Sequence, residues 1–154
     1  MNKTKKWDLR FLNLAKNVST WSKDPSTQVG AVISDKDNLL VNVGYNGHPQ
    51  GIEDTKERYE NRAWKLKHVL HAEQNAIMLA DRNFFTGCSL YVYPLYPCTT
   101  CCSIIIQSRF DRVVGVENDR PEWGGETSKL YEESRIEFGH YSSLEASAEY
   151  KRIA

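Results

Sequence analysis

From Trp7 to Trp21 the apolar positions fall at Trp7, Phe11, Leu14, Ala15 and Val18. Steps of three and four put them on one face of an amphipathic helix. "SKDPST" interrupts that helix, because Pro25 disfavours helical backbone in the residue before it. "QVGAVIS" and "LLVNVGYN" are β-prone runs flanking the polar "DKDN", which predicts two strands joined as a hairpin. "GYNGHPQGIED" follows as a loop rich in glycine, asparagine and proline. Residues 55–67 are charged and fit either a short helix or an ordered loop.

Beyond residue 71 helix and strand alternate. Ala72 to Arg82 reads as a helix with Ala76, Ile77, Leu79 and Ala80 on its apolar face, and "SLYVYPL" as a strand. Pro97 opens a helix from about Cys98 to Ser108, since its missing N–H costs nothing at a first turn. "RVVGVEN" is a strand, Glu126 to Ser134 a helix, "RIEFGHY" a last strand, and a last helix starts at Leu144. A hairpin followed by alternating α and β predicts an α/β fold, a mixed sheet with helices on both faces.

Composition narrows the class. A chain of 154 residues, 40% hydrophobic and 26% charged, reads as one globular domain spanning 1–154. No apolar run approaches the roughly 18 residues that span a bilayer, and the basic start "MNKTKKWDLR" leads into an amphipathic pattern rather than a leader core. A cytoplasmic protein without a membrane partner is expected. Twenty Lys and Arg balance twenty Asp and Glu, with no basic block after residue 10, which argues against a nucleic-acid partner.

Three of the four cysteines, Cys98, Cys101 and Cys102, crowd into five residues; the fourth is Cys88. In a reducing compartment such crowding favours metal or catalysis over disulfides. Cys98-x-x-Cys101 at a helix start suits two thiolates on one ion, although Cys98 and Cys102, four apart, can also share a helix face. His71 is the compact third donor. Three protein ligands leave a fourth position open, as catalytic zinc requires, and Glu73 supplies an acid/base beside it. Two residues lie roughly 200° apart around a helix, so His71 and Glu73 can serve one ion only at a first turn. Taken singly, the histidine is a surface or cap residue, the glutamate a dipole partner and the cysteine pair equally a metal site, a redox motif or an accident; in this order and spacing the catalytic reading prevails. Cys88 is read as a buried structural thiol, and Cys102 as packing or a support to the ligands, with a ligand role as its alternative.

His71-x-Glu73 … Pro97-Cys98-x-x-Cys101 is similar to the signature of zinc-dependent nucleobase deaminases, in which the glutamate moves protons and is not a ligand. With "SKDPSTQVGAVI", "GYNGHPQG", "HAEQNAI" and "YPCTTCCSIIIQS", the chain from about Trp7 to Val116 resembles the deoxycytidylate (dCMP) deaminases of the cytidine-deaminase superfamily. The resemblance implies a three-layer α-β-α fold around a mixed five-stranded sheet. It implies Zn2+ on His71, Cys98 and Cys101, Glu73 as proton shuttle, and hydrolysis of dCMP to dUMP for thymidylate supply. It implies Asn46 near the sugar or phosphate, where an ordinary Asn-Gly turn is the competing reading. It also implies a homo-oligomer, often a hexamer, activated by dCTP and inhibited by dTTP bound with Mg2+ between subunits.

Gln74 stands where the family usually has leucine, and Cys102 where alanine is common. Trp123, in "RPEWGG", is the candidate to close over the base, a stacking contact worth roughly 1–3 kcal/mol; packing is the rival role. Arg82 and Arg120 are candidates for phosphate. Competing functions are a deaminase taking dCTP as well as or instead of dCMP, a deaminase acting on RNA, which the charge balance disfavours, and a non-catalytic zinc-stabilised nucleotide-sensing domain. Glu73 favours an enzyme, because a structural metal site needs no acid/base.

Overall fold

The computed structural model describes residues 3–118 and 121–148; of residues 3 and 121–124 it describes the backbone only. The elements are α1 (Lys3–Ser19), β1 (Gly30–Ser34), β2 (Leu40–Tyr45), α2 (Lys56–Glu60), α3 (Arg62–His68), α4 (Ala72–Met78), β3 (Ser89–Tyr93), α5 (Thr99–Gln107), β4 (Arg112–Val116), α6 (Pro121–Ser134), β5 (Glu137–Tyr141) and α7 (Ser143–Ser147). The strands form one five-stranded sheet in the order β2-β1-β3-β4-β5. β1 runs antiparallel to both neighbours, while β3, β4 and β5 are parallel, so the sheet is mixed as expected.

Two hydrophobic clusters cover the two faces, and the period-two alternation of the strands sorts residues between them. Ala31, Ile33, Leu90, Val92 and Val113 join α4, α5 and α6 on one side. Val32, Tyr91, Val114 and Val116 join α1 and α7 on the other. The result is a three-layer α-β-α sandwich. β1 is buried along its whole length, which is why its sequence reads as a continuous apolar run rather than an alternation.

Two glycines set the layer spacing by close approach. A Cβ at Gly44 in β2 would lie 2.4 Å from both Ala72 O and Ala76 N, so α4 packs directly on bare backbone. A Cβ at Gly30 would lie 2.0 Å from Ala15 O, the same device for α1. Asn42 Nδ2 donates to Ala76 O and Asn75 Nδ2 to Tyr45 O, both at 2.8 Å, tying α4 to β2.

Several boundaries differ from the sequence pattern. α1 begins at Lys3, ahead of Trp7, and ends at Ser19. α4 stops at Met78 rather than Arg82; Met78 and Leu79 are 59% exposed each, so the apolar content there marks surface rather than core. Residues 55–67 hold two short helices, each with its own side-chain cap: Thr55 for α2 and Asn61 for α3. Pro97 lies one residue before the helix cap, which is Cys98 itself.

Candidate active site

The sheet brings four chain segments to one edge. Gly30, the first residue of β1, pairs with Tyr45 at the end of β2 and with Tyr93 at the end of β3. The segment before β1, the loop after β2 and the turn after β3 therefore meet at the carboxyl end of β3. There the strand direction changes from antiparallel to parallel, and α/β sheets place ligands at such switch points. Gly47 N donates to Leu70 O at 3.1 Å and Leu70 N to Gly47 O at 2.9 Å, which pins the residue before His71 to the GYNG loop.

His71 is the N-cap of α4, with φ −76° and ψ 158°, and Glu73 is the second residue of the helix. The first-turn geometry anticipated above holds. Gln74 Oε1 accepts the His71 N–H at 2.7 Å as part of a capping box at the helix start. The His71 ring faces the cysteines: its Nδ1 lies 3.4 Å from Cys98 Sγ and 3.3 Å from Cys101 Sγ.

One ligand atom from each of His71, Cys98 and Cys101 lies within 4.8 Å of the others. Zinc bonds of about 2.1 Å to nitrogen and 2.3 Å to sulfur, meeting at a tetrahedral angle, separate N and S by about 3.6 Å. The donor set and its spacing fit the ion. His71 is exposed, Cys98 intermediate and Cys101 buried, so the open side faces the cleft. Cys102 is excluded from this group among the described residues. Its Sγ instead lies 3.9 Å from Thr127 O on α6.

The charges are arranged for use. The Cys101 thiol beside Cys98 holds the latter well below the ordinary thiol value, with His71 adding to the effect, while the proton stays on Cys101, whose own value is pushed up. His71 is raised, first by its hydrogen bond to Cys98. Glu73 is 4% exposed, and burial pushes its carboxyl up to about 7. That places an acid/base near neutrality, the range in which proton transfer in both directions is efficient.

A cleft of about 200 Å³ opens above this group, with His71, Glu73 and Cys98 in its floor and Val29, Val69 and Tyr96 among its walls. Asn46 also lines it, and is 7% exposed. Its Oδ1 accepts from Val29 N and its Nδ2 donates to Thr27 O, both at 2.8 Å. Asn46 thus holds the cleft wall in place, and one amide hydrogen remains for a ligand.

Sequence reasoning missed a second wall element. Asp24, 5% exposed, accepts from Ser26 N at 2.9 Å and takes Lys65 Nζ at 2.8 Å, joining the segment before β1 to α3 across the cleft mouth. The turn signal in "SKDPST" was visible; its partner 41 residues away was not. Arg82 is not among the described cleft residues, and its Nη1 sits 3.4 Å from Cys88 Sγ. The Trp123 side chain and Arg120 lie outside the described residues. No helix among the described residues is long and apolar enough to cross a membrane.

An α/β sandwich with a His/Cys/Cys group and a buried carboxyl at the sheet's switch point defines a class of metal-binding deaminase domains. Residues 5–117 match the cytidine and deoxycytidylate deaminase zinc-binding region, and the chain belongs to that family. An uncharacterized deaminase in the luxG 3' region of Aliivibrio fischeri is 47% identical over 108 residues, 70% of this chain and 71% of that one. A probable deoxycytidylate deaminase of Caenorhabditis elegans is 46% identical over 71% of this chain and 56% of its own length. The human deoxycytidylate deaminase is 40% identical over 70% of this chain and 63% of its own length. The match thus spans little more than half to two thirds of most of these relatives.

Among solved structures, the dCMP deaminase of cyanophage S-TIM5 in apo form superposes with a TM-score of 0.68 at 22% identity, covering 92% of this chain and 100% of that one. RibD of Acinetobacter baumannii gives 0.63 at 23%, covering 88% of this chain and 35% of that one. At such identities the likeness concerns the fold.

Proposed function

We propose that the chain is a single zinc-dependent deaminase domain that hydrolyses dCMP to dUMP and ammonia, supplying the precursor of thymidylate. The observation that carries this reading is the buried carboxyl of Glu73 beside an open three-donor group at the floor of a cleft. Relatives named deoxycytidylate deaminase support the choice of nucleotide.

In this reading His71, through Nδ1, with Cys98 and Cys101 holds the zinc. When bound, zinc lowers the pKa of water from about 16 to about 7 and so supplies a nucleophile at neutral pH. Glu73 takes a proton from the attacking water, delivers it to N3 of the cytosine ring and returns a proton to the departing amine. Its near-neutral pKa suits both directions. Asn46 positions the sugar or phosphate through its remaining amide hydrogen, and Trp123 stacks on the base. The walls exclude bulk water and hold the base edge toward Glu73.

By the same family reading the protein is a cytoplasmic homo-oligomer, a state that is often a hexamer in the family, activated by dCTP and inhibited by dTTP with Mg2+. An ammonia-release assay across cytidine, CMP, dCMP, dCDP and dCTP, with and without dCTP and dTTP as effectors, tests the substrate and the regulation. Turnover of dCMP with little of cytidine or CMP is the expected result. Preference for dCTP would replace the substrate, and no turnover of any cytosine compound by zinc-loaded protein would favour a nucleotide-sensing domain.

A further inference from the structure

Charge is unevenly placed along the cleft. Among the described residues that line it, Glu73 and Asp24 bring carboxyl groups, and Lys65 on α3 is the single ammonium or guanidinium group. Arg82 lies away from this lining, beside Cys88. An anionic part of a ligand therefore finds its counter-charge, among the described residues, at Lys65.

The surroundings of Lys65 leave it able to serve one. Asp24 takes the ammonium through both oxygens, at 2.9 and 2.8 Å, and the Ser26 hydroxyl accepts from it at 2.7 Å. The carboxylate is the enclosed pole of this pair: side-chain exposure is 3% for Asp24 and 20% for Lys65. Asp24 does not depend on the lysine alone. Its Oδ1 also accepts from Ser26 N at 2.9 Å, Ser26 Oγ at 2.8 Å and Thr27 N at 3.3 Å. The ammonium can thus keep its carboxylate and redirect the hydrogen now given to the Ser26 hydroxyl. A phosphate oxygen is the stronger acceptor of the two, because it is charged. Thr27 O in turn accepts from Asn46 Nδ2 at 2.8 Å, so Lys65, Asp24, Thr27 and Asn46 form one continuous wall of the cleft.

We infer that Lys65 is the specificity-determining residue for a 5′-phosphate: anchored by Asp24, its ammonium exchanges the Ser26 hydroxyl for a phosphate oxygen of the bound nucleotide. The base edge then faces Glu73 and the sugar lies along the wall that Asn46 holds. Lysine meets phosphate as a point charge, so the contact needs no second donor in a fixed plane. The inference rests on the deoxycytidylate reading above and names the group that tells the nucleotide from its nucleoside.

The test measures, by calorimetry on the zinc-loaded full chain, the dissociation constants of dUMP and deoxyuridine, which differ only in the phosphate and are not turned over. The wild type should bind dUMP the more tightly. Lys65→Gln should reduce that preference about 10- to 100-fold, the weight of one hydrogen bond to a charged group, and Lys65→Arg should keep most of it. Lys65→Gln also strips Asp24 of its cation, so Asp24→Asn/Lys65→Gln is measured beside it as a neutral, hydrogen-bonding pair and should show the same loss of preference. Equal affinity of the wild type for both ligands overturns the proposal. So does an unchanged preference in the two glutamine variants, or a weakening that is the same for both ligands. Absence of dCMP turnover by a wild type that still prefers dUMP sinks the deaminase reading and leaves the phosphate contact standing.

Discussion

Gln74 Oε1 accepts the backbone N–H of His71 at 2.7 Å, one half of a capping box at the start of α4 whose N-cap is a candidate metal ligand. A histidine at an N-cap ordinarily has its own helix to serve. Here Gln74 shares that work by accepting the His71 N–H. Gln74→Leu should lower the unfolding free energy by about 1 kcal/mol and weaken Zn2+ binding, both read by titration and thermal melts. Unchanged affinity would mean that the cap has no bearing on the imidazole.

The sulfur assignment is open to direct measurement. Cys101 Sγ lies 3.3 Å from His71 Nδ1, whereas Cys102 Sγ is turned to Thr127 O. Cys101→Ser should lose most of the bound zinc by elemental analysis, and Cys102→Ser should keep it at one ion per chain. The reverse result would move the ligand by one residue.

Glu73→Gln keeps the volume of a side chain that is 4% exposed and removes only its ability to ionise. Zinc content and melting temperature should stay near wild type while dCMP turnover falls by about 10²–10⁴-fold. Full activity in this variant excludes the proton-transfer role.

Asp24 ties two cleft walls, and its contribution depends on pH. Burial works against its carboxylate, but the Lys65 hydrogen bond and the Ser26 and Thr27 donors outweigh it and hold the pKa below the ordinary 3.8. A depressed carboxylate contributes stability that is present above its unfolded value and lost as pH falls through the folded one. Asp24→Asn should therefore cost about 1–3 kcal/mol at pH 7, with the gap to wild type closing below about pH 4. Urea midpoints across that interval check the sign. A gap that widens in acid would contradict it.

A buried ion pair anchors α1 to the parallel strands. Asp8, 1% exposed, accepts from both terminal nitrogens of Arg112, from Tyr141 Oη at 2.7 Å and from Tyr91 Oη at 3.2 Å. Arg112→Leu leaves that carboxylate without its cation and should cost about 3–5 kcal/mol, a drop in melting temperature on the order of 10 °C. Adding Asp8→Leu should recover only part of it, since the two tyrosine hydroxyls then lose their acceptor. A single variant melting like wild type would show that the pair contributes nothing.

The order of elements and the residue types of the candidate metal group were legible along the chain because each depends on local rules. Period-two and period-3.6 patterns, the Pro97 break and the Cys-x-x-Cys spacing act within a few residues. Local rules also confined His71 and Glu73 to a first turn, since no other helical position lets both serve one ion. Three matters were not local. Cys101 rather than Cys102 faces His71 because α6 takes up the Cys102 thiol from the other side. Asp24 meets Lys65, and Asn46 meets Thr27 and Val29, only because the antiparallel β1 carries the segment before it to the edge where β3 ends. The Glu73 pKa near 7 belongs to neither residue type nor spacing; it arises from burial in a packed layer, where the charged form of a carboxylate loses its water.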